Sequence, residues 1–439
     1  MHNPCLNSTL EVRGRRWFLL ALLLLFVGVS VSYSRKALSN RSAIVRWQPQ
    51  VLSGVENGVD MSEHYQYPHP PVMAVALYPL VQLPPLAAAL VWFYIKVGLA
   101  LLSLFWVFRL IAPADRPFPA WAQALAVLLS LRPILGDLQH GNVNLFILFL
   151  VVAALTAFRR GFDVLAGVVL GLAIACKITP ALFLPYFLWK RAWKTLAGAI
   201  AGLVLFLWPG LVPAAFFGWN ENQHQLTSWY KEMVHPFVVE GRVWTEHNNQ
   251  SLPALAYRML THSPSFSKYE GDVYTPTEWD NLVSLDPAVV RWLLKGCTAA
   301  FALAVCWWCR TPTTSRQGWR LSPEFSLIVL GMLLFSERTW KHHCVSLMLP
   351  FAVLCYYLAA CAPGPRLRNF LIGTLIVATL LIESTSTSLF DKDFAKAAQT
   401  YGAYVWTYLL LSVALIVLLR QPKEDTSRSR RLQPAAAAG

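Results

Sequence analysis

Apolar runs long enough to cross a bilayer, separated by short loops, leave this chain very few folds. Residues 17–33 form the first run, behind the basic residues Arg13, Arg15 and Arg16. Hydrocarbon offers no water to backbone amides, so each crossing segment must satisfy its own N–H and C=O groups as a helix. Further runs lie near residues 72–111, 120–134, 145–158, 164–176, 181–189, 196–212, 289–309, 323–336, 343–362, 369–383 and 402–419. The stretch 72–111 is broken by Pro79, Pro84 and Pro85 and has room for a re-entrant piece plus one full span. The run 181–189 is too short to cross and reads as half of a bent hairpin. Counting that hairpin as two gives about twelve spans. The expected fold is all-α and polytopic. Of the 439 residues 56% are hydrophobic and 14% charged, where a soluble chain carries about a quarter charged.

The net charge of +14 does not point to nucleic acid. Its carriers sit in short loops between spans, such as Arg159-Arg160, Lys190-Arg191, Arg310 and Arg366, where basic residues mark the cytoplasmic side. That pattern places both ends in the cytoplasm and makes the chain a multi-pass plasma-membrane protein. Residues 1–16 read as a cytoplasmic tail, 17–420 as the membrane domain, and 421–439 as a disordered cytoplasmic tail. The first run resembles a signal peptide, but the many spans behind it favour an uncleaved helix. Residues 34–69 and 213–288 become outer loops. Most of the eight cysteines fall in apolar runs and read as small hydrophobes. Cys306-Trp307-Trp308-Cys309 has no second pair nearby, so neither metal nor redox use is expected.

Against this apolar background the stretch 136–144, Gly-Asp-Leu-Gln-His-Gly-Asn-Val-Asn, stands out. Unpaired polar groups in hydrocarbon cost several kcal/mol, so it must lie at a membrane face or line a wet cavity. The topology puts four other polar clusters on the same outer face. These are the loop holding Asp60, the turn at Lys177, the segment 247–251 and the segment 337–343. Costly polar groups of membrane proteins gather at functional sites, so convergence of the five on one site is expected.

Five of these elements, in order, resemble glycosyltransferase family 87. Gly141-Asn142-Val143-Asn144, a span, then Ala166-Gly167 through Gly171 and Lys177-Ile178-Thr179-Pro180 is similar to its central signature. Asn249-Gln250-Ser251-Leu252, Trp340-Lys341-His342-His343 and Tyr67-Pro68-His69-Pro70-Pro71 match three further elements. The resemblance spans roughly residues 35–350 and implies an integral-membrane GT-C fold. It also implies transfer of a hexose, typically mannose, from a polyprenyl-phosphate donor to a lipid or glycan acceptor at the outer leaflet. No cofactor or metal is implied. The partners are then the donor, the acceptor and membrane lipids, with no nucleic acid.

Such chemistry needs a carboxylate to deprotonate the acceptor hydroxyl and cations or donors to hold the departing phosphate. The family's presumed base is an Asp shortly after the first helix, a slot that falls near Asn40 here, and an amide cannot serve. Asp60 in the first outer loop is the preferred replacement and Asp137 the second, with Glu56, Glu63 and Glu337 behind them. Each acid is equally readable as a helix cap or salt-bridge partner. Lys177, Arg338, His342 and His343 are the expected phosphate ligands, though Lys177 also suits snorkelling to the interface. Arg46 shares the two readings of Arg338. Neighbouring histidines on a helix face different ways, so one of His342 and His343 is expected to reach the donor and the other to bond structurally. His140, Asn142, Asn144, Asn249 and Gln250 are expected to contact substrate, with loop capping as the plainer role for the last two. Two rival readings are a lipid-linked sugar flippase and a transferase relic that only binds. Transport, however, calls for polar residues through the membrane, and here they collect on one face.

Overall fold

The computed structural model describes residues 4–270 and 273–421. The expected disordered tail lies outside the described residues from 422 onward, as do residues 1–3. Helix α1 (Pro4–Leu38) takes in the stretch read as an N-terminal tail together with the first apolar run.

The first outer segment, expected as a loop, is largely helical. In α2 (Ala43–Asn57) the residues Ile44, Trp47 and Val51 are buried, at the three- and four-residue spacing of an amphipathic helix. Helix α3 (Met61–Tyr65) begins where the Asp60 carboxylate accepts from the Ser62 and Glu63 amides. Proline opens both α4 (Pro71–Val81) and α5 (Pro85–Ile111), a position where its missing N–H costs nothing. Helix α5 is long and apolar enough to be the full span expected there, and α4 is a shorter apolar helix.

The centre of the chain supplies α6 (Ala120–His140), α7 (Asn144–Arg159), α8 (Asp163–Cys176), α9 (Phe183–Trp189) and α10 (Trp193–Phe206). The large segment expected outside holds four short α-helices, α11 (Leu211–Phe217), α12 (Trp219–Trp229), α13 (His235–Val238) and α14 (Leu252–Leu260), with a π-helical stretch, Tyr230–Val234, between α12 and α13. An antiparallel hairpin follows, β1 (Phe266–Glu270) on β2 (Val273–Glu278), with Lys268 opposite Thr275. The last third holds α15 (Pro287–Trp308), α16 (Leu321–Leu334), α17 (Met348–Ala360), α18 (Pro365–Ser384), α19 (Lys392–Thr400) and α20 (Ala403–Arg420).

Among the described residues, eight helical stretches are long and apolar enough to cross a membrane, so the count of about twelve is not reproduced by that measure. Four more apolar helices are shorter: α4, α7, α8 and α16. At 1.5 Å per residue α7 and α8 reach only about 24 and 21 Å, short of a ~30 Å hydrocarbon core. Their setting explains the shortness. Most of α7 and nearly all of α16 are buried, so other helices rather than lipid surround them. By contrast α15 buries only Val290 and Val305 and leaves Trp292, Leu303 and Trp307 on its outer surface.

The stretch 136–144 is not a loop. Helix α6 continues through Asp137 to His140, Gly141 ends it with φ 72°, and Asn144 opens α7. A Cβ on Gly141 would stand 2.7 Å from the Tyr33 hydroxyl and closer still to that of Ser42, so space and conformation both require glycine. One turn back, the Asp137 carboxylate is fully buried and paired with the equally buried Lys96 of α5 at 3.2 Å. The same ammonium donates to the Asp137 carbonyl at 2.7 Å.

Helices α8 and α10 meet through glycines on both sides. A Cβ on Gly171 would lie 2.8 Å from the Ala199 carbonyl oxygen and from the Gly202 Cα, while one on Gly167 would collide with the Thr195 carbonyl. The spacing Gly167, Gly171 therefore does bring two backbones into contact.

Two predictions follow from these contacts, both read by thermal unfolding in detergent. Gly167→Ala should cost about 1–3 kcal/mol by overpacking. Gly373→Ala, where the added methyl meets nothing within 4 Å, should be neutral or slightly stabilising, since alanine is the better helix former. Lys96→Met strands a buried carboxylate and should cost about 3–5 kcal/mol. The double variant Lys96→Met/Asp137→Asn should recover part of that loss. Parental stability in the single variant would mean the pair is not dry.

Candidate active site

The polar clusters meet around one cavity of about 630 Å³, within the range of small-molecule sites. The first outer segment contributes Arg46, Trp47 and His69. The end of α6 brings His140 and Asn142, and the end of α8 brings Lys177. The outer segment after α12 adds Met233 and Phe237, and the chain after α16 adds Glu337, Arg338, Trp340 and His343. A smaller cavity of about 40 Å³ shares Lys177 and His343 with it and is lined also by Asn144.

Each lining group has a reason for its position. Lys177 caps α8 and donates to Asn144 Oδ1 at 2.6 Å. Asn144 in turn donates to Asp137 Oδ1 at 2.9 Å, so an unbroken chain runs from Lys96 through Asp137 and Asn144 to Lys177. Burial lowers the Lys177 ammonium to about 8, against the opposing pull of the Asp137 charge. Arg338 lies over the rings of Phe237 and Trp244, each 4.8 Å away, a cation–π arrangement that orients the guanidinium. His69 packs edge-on to Trp47 at 4.9 Å and to Tyr67 at 5.5 Å. Burial, reinforced by Lys177, lowers its imidazole to about 3, so His69 is neutral at ordinary pH.

His342 and His343 part company. His343 lines the cavity, and its Nδ1 lies 3.1 Å from the Arg338 carbonyl. The same Nδ1 lies 3.3 Å from the Trp340 amide. His342 does not line the cavity. Its Nε2 is 3.2 Å from Asn142 Nδ2, and its ring stacks on His140 at 4.2 Å.

The two acids favoured as base both have other work, which corrects the expectation for each. Asp60 caps α3, accepts from the Ser228 hydroxyl at 2.7 Å and faces His224 at 3.3 Å. It ties the first outer segment to α12 and is not among the cavity residues. Asp137 is fully buried, with Lys96, Asn144 and the Leu145 amide as partners. Neither carboxylate is among the residues that line the cavity. Glu56 and Glu63 are exposed, and Asn40 lies exposed in a turn at φ 57°; none of the three lines the cavity. The one carboxylate that does, among the described residues, is Glu337.

Asn249 and Gln250 are likewise corrected from substrate contacts to clamps. Both are fully buried. Asn249 donates to the Glu337 carbonyl at 2.6 Å and the Trp244 carbonyl at 2.8 Å, and accepts from the Thr339 and Ser251 amides. Gln250 donates to the carbonyls of His247 and Gln399. Their amides are fully engaged: Asn249 holds the backbone on either side of Arg338, and Gln250 ties the backbone at 247 to that at 399–404. Buried Arg258 extends the clamp by donating to the carbonyls of Thr400, Thr245 and Glu246.

Lys96 and Arg258 were not singled out from the sequence, and His69 was named only within the Tyr67–Pro71 element. A lone lysine within a long apolar helix was the available signal for the first, because such a charge needs a partner.

Comparison with known proteins bears on this arrangement. A model of glycosyltransferase family 87 matches residues 67–337, more than half the chain. The chain is 26% identical over 373 residues to a polyprenol-phosphate-mannose-dependent alpha-(1-2)-phosphatidylinositol mannoside mannosyltransferase of Mycolicibacterium smegmatis, covering 80% of this chain and 74% of that one. It is 28% identical over 393 residues to the protein of the same name from Mycobacterium tuberculosis, covering 85% and 81%. Among solved structures, ArnT from Cupriavidus metallidurans bound to undecaprenyl phosphate aligns over 91% of this chain and 77% of that one, at 14% identity and a TM-score of 0.40. The match over most of the membrane domain makes this integral membrane protein a member of glycosyltransferase family 87.

Proposed function

We propose that this chain, with a GT-C-type fold, transfers mannose from a polyprenyl-phosphate donor to a lipid or glycan hydroxyl at the outer face of the plasma membrane. The observation that carries the reading is the gathering of Arg46, Lys177 and Arg338 around one cavity of about 630 Å³ in a family 87 chain whose relatives are named for polyprenol-phosphate mannose. A lipid phosphate entering a poorly hydrated cavity needs cations, and charge-assisted bonds are the strong ones. Lys177 and Arg338 hold the phosphate. His343 adds a ring nitrogen beside them. His140 and Asn142, also in the cavity lining, face the sugar, and Asn144 acts through Lys177. His342 holds Asn142 in place. The basic loops 159–160, 190–191 and 310–320 face the cytoplasm, which puts the cavity on the outer side.

The test is direct. Purified protein in lipid receives labelled polyprenyl-phosphate mannose and a panel of mannosylated lipid and glycan acceptors. Label is expected to move to an acceptor with release of polyprenyl phosphate. Movement of intact donor between leaflets, with no transfer, would make the chain a flippase instead. Lys177→Ala and Arg338→Ala should each weaken polyprenyl-phosphate binding by about 1.5–3 kcal/mol, the worth of a hydrogen bond to a charged group. Unchanged affinity in both would remove the phosphate from this cavity.

A further inference from the structure

We propose that Glu337 is the general base that takes the proton from the acceptor hydroxyl. This assignment rests on the transfer reading above. Geometry selects the residue. Among the described residues lining the cavity, Glu337 is the one carboxylate. The other charged or titratable groups on that wall are Arg46, Tyr65, His69, His140, Lys177, Arg338 and His343. Arg46 and Arg338 are permanent cations suited to phosphate, Lys177 is a cation up to about pH 8, and His69 is held neutral by burial. A phenol is too weak an acid to lie ionised near neutral pH.

The backbone around Glu337 is fixed from outside the cavity. Asn249 grips the Glu337 carbonyl at 2.6 Å and the Thr339 amide at 2.9 Å, so the main chain is anchored directly after Glu337 and again directly after Arg338. That places the candidate base and a candidate phosphate ligand, neighbours in sequence, on the wall of one cavity. Glu337 is half-buried. Desolvation raises its carboxyl to about 7, with the charge of Arg338 opposing the rise. A base titrating near the working pH combines ionised population with proton affinity.

The step balances without any further reagent. The acceptor oxygen forms a bond to the sugar anomeric carbon as its proton passes to the Glu337 carboxylate. The bond from that carbon to the phosphate oxygen breaks, and its electron pair leaves with polyprenyl phosphate. The proton then passes from Glu337 to water.

Glu337→Gln keeps the side-chain volume and leaves the Asn249 clamp untouched, because that clamp holds a main-chain atom. Transfer should fall by about 10²- to 10⁴-fold, with polyprenyl-phosphate affinity unchanged. The wild-type rate should rise with pH through about 7, and that rise should vanish in the residual activity of Glu337→Gln. Glu337→Asp should keep the rise at an intermediate rate. Transfer by wild type and Glu337→Gln at equal rates overturns the assignment alone. So does a loss of donor affinity matching the loss of rate, which would make Glu337 a structural residue. No transfer by the wild-type chain with any acceptor overturns the transfer reading and this one together.

Discussion

A buried ion pair holds the working end of this protein together. Lys96 and Asp137 are both fully buried, and each would be costly alone in an apolar interior. Together they join the middle of α5 to the last turn of α6. Asp137 also receives Asn144 and the Leu145 amide, which fixes the start of α7, and Asn144 receives Lys177, which fixes the end of α8. Four helices are registered by one carboxylate. The lysine that reaches the cavity is the last link of that chain, so its position depends on a charge pair a substrate never touches.

The opposite wall is built differently. There the polar side chains of the outer segment bond main-chain carbonyls and amides rather than one another. Arg258, Asn249 and Gln250 together engage the backbone at 245–249, 337–339 and 399–404. Backbone groups in irregular segments must find partners once buried, and three side chains supply many of them. The cavity wall that results mixes aromatic rings with cations. Rings suit sugar faces and orient guanidinium groups, while cations suit phosphate.

At the basic-loop end of the bundle a second buried pair plays a parallel role. Lys190 and Glu324 lie 2.8 Å apart with almost no exposure, and Glu324 also accepts from Tyr186 and the Thr311 amide. The bundle is thus pinned at both ends by charges and packed between them by apolar side chains. The glycine contact of α8 with α10 adds close backbone approach where no charge is present.

Sequence alone determined the helical, membrane-spanning class, the clustering of polar segments at one end, and the Gly167–Gly171 contact. Each follows from a local rule: hydrocarbon demands helices, basic loops set sides, and small residues four apart share a helix face. The family signature was also legible, because its elements are short and ordered along the chain. What only tertiary structure decided was which polar side chains are consumed by the fold and which line the cavity. In sequence Asp60 ranks ahead of Glu337 as the base. One caps a helix and bonds Ser228, more than 160 positions away, while the other lines the cavity on a turn gripped by Asn249. Asp137 looked like a costly acid in need of a use, and its use was Lys96, 41 positions away. A carboxylate's role depends on where its partners lie in space, and distant partners leave no local mark on the chain.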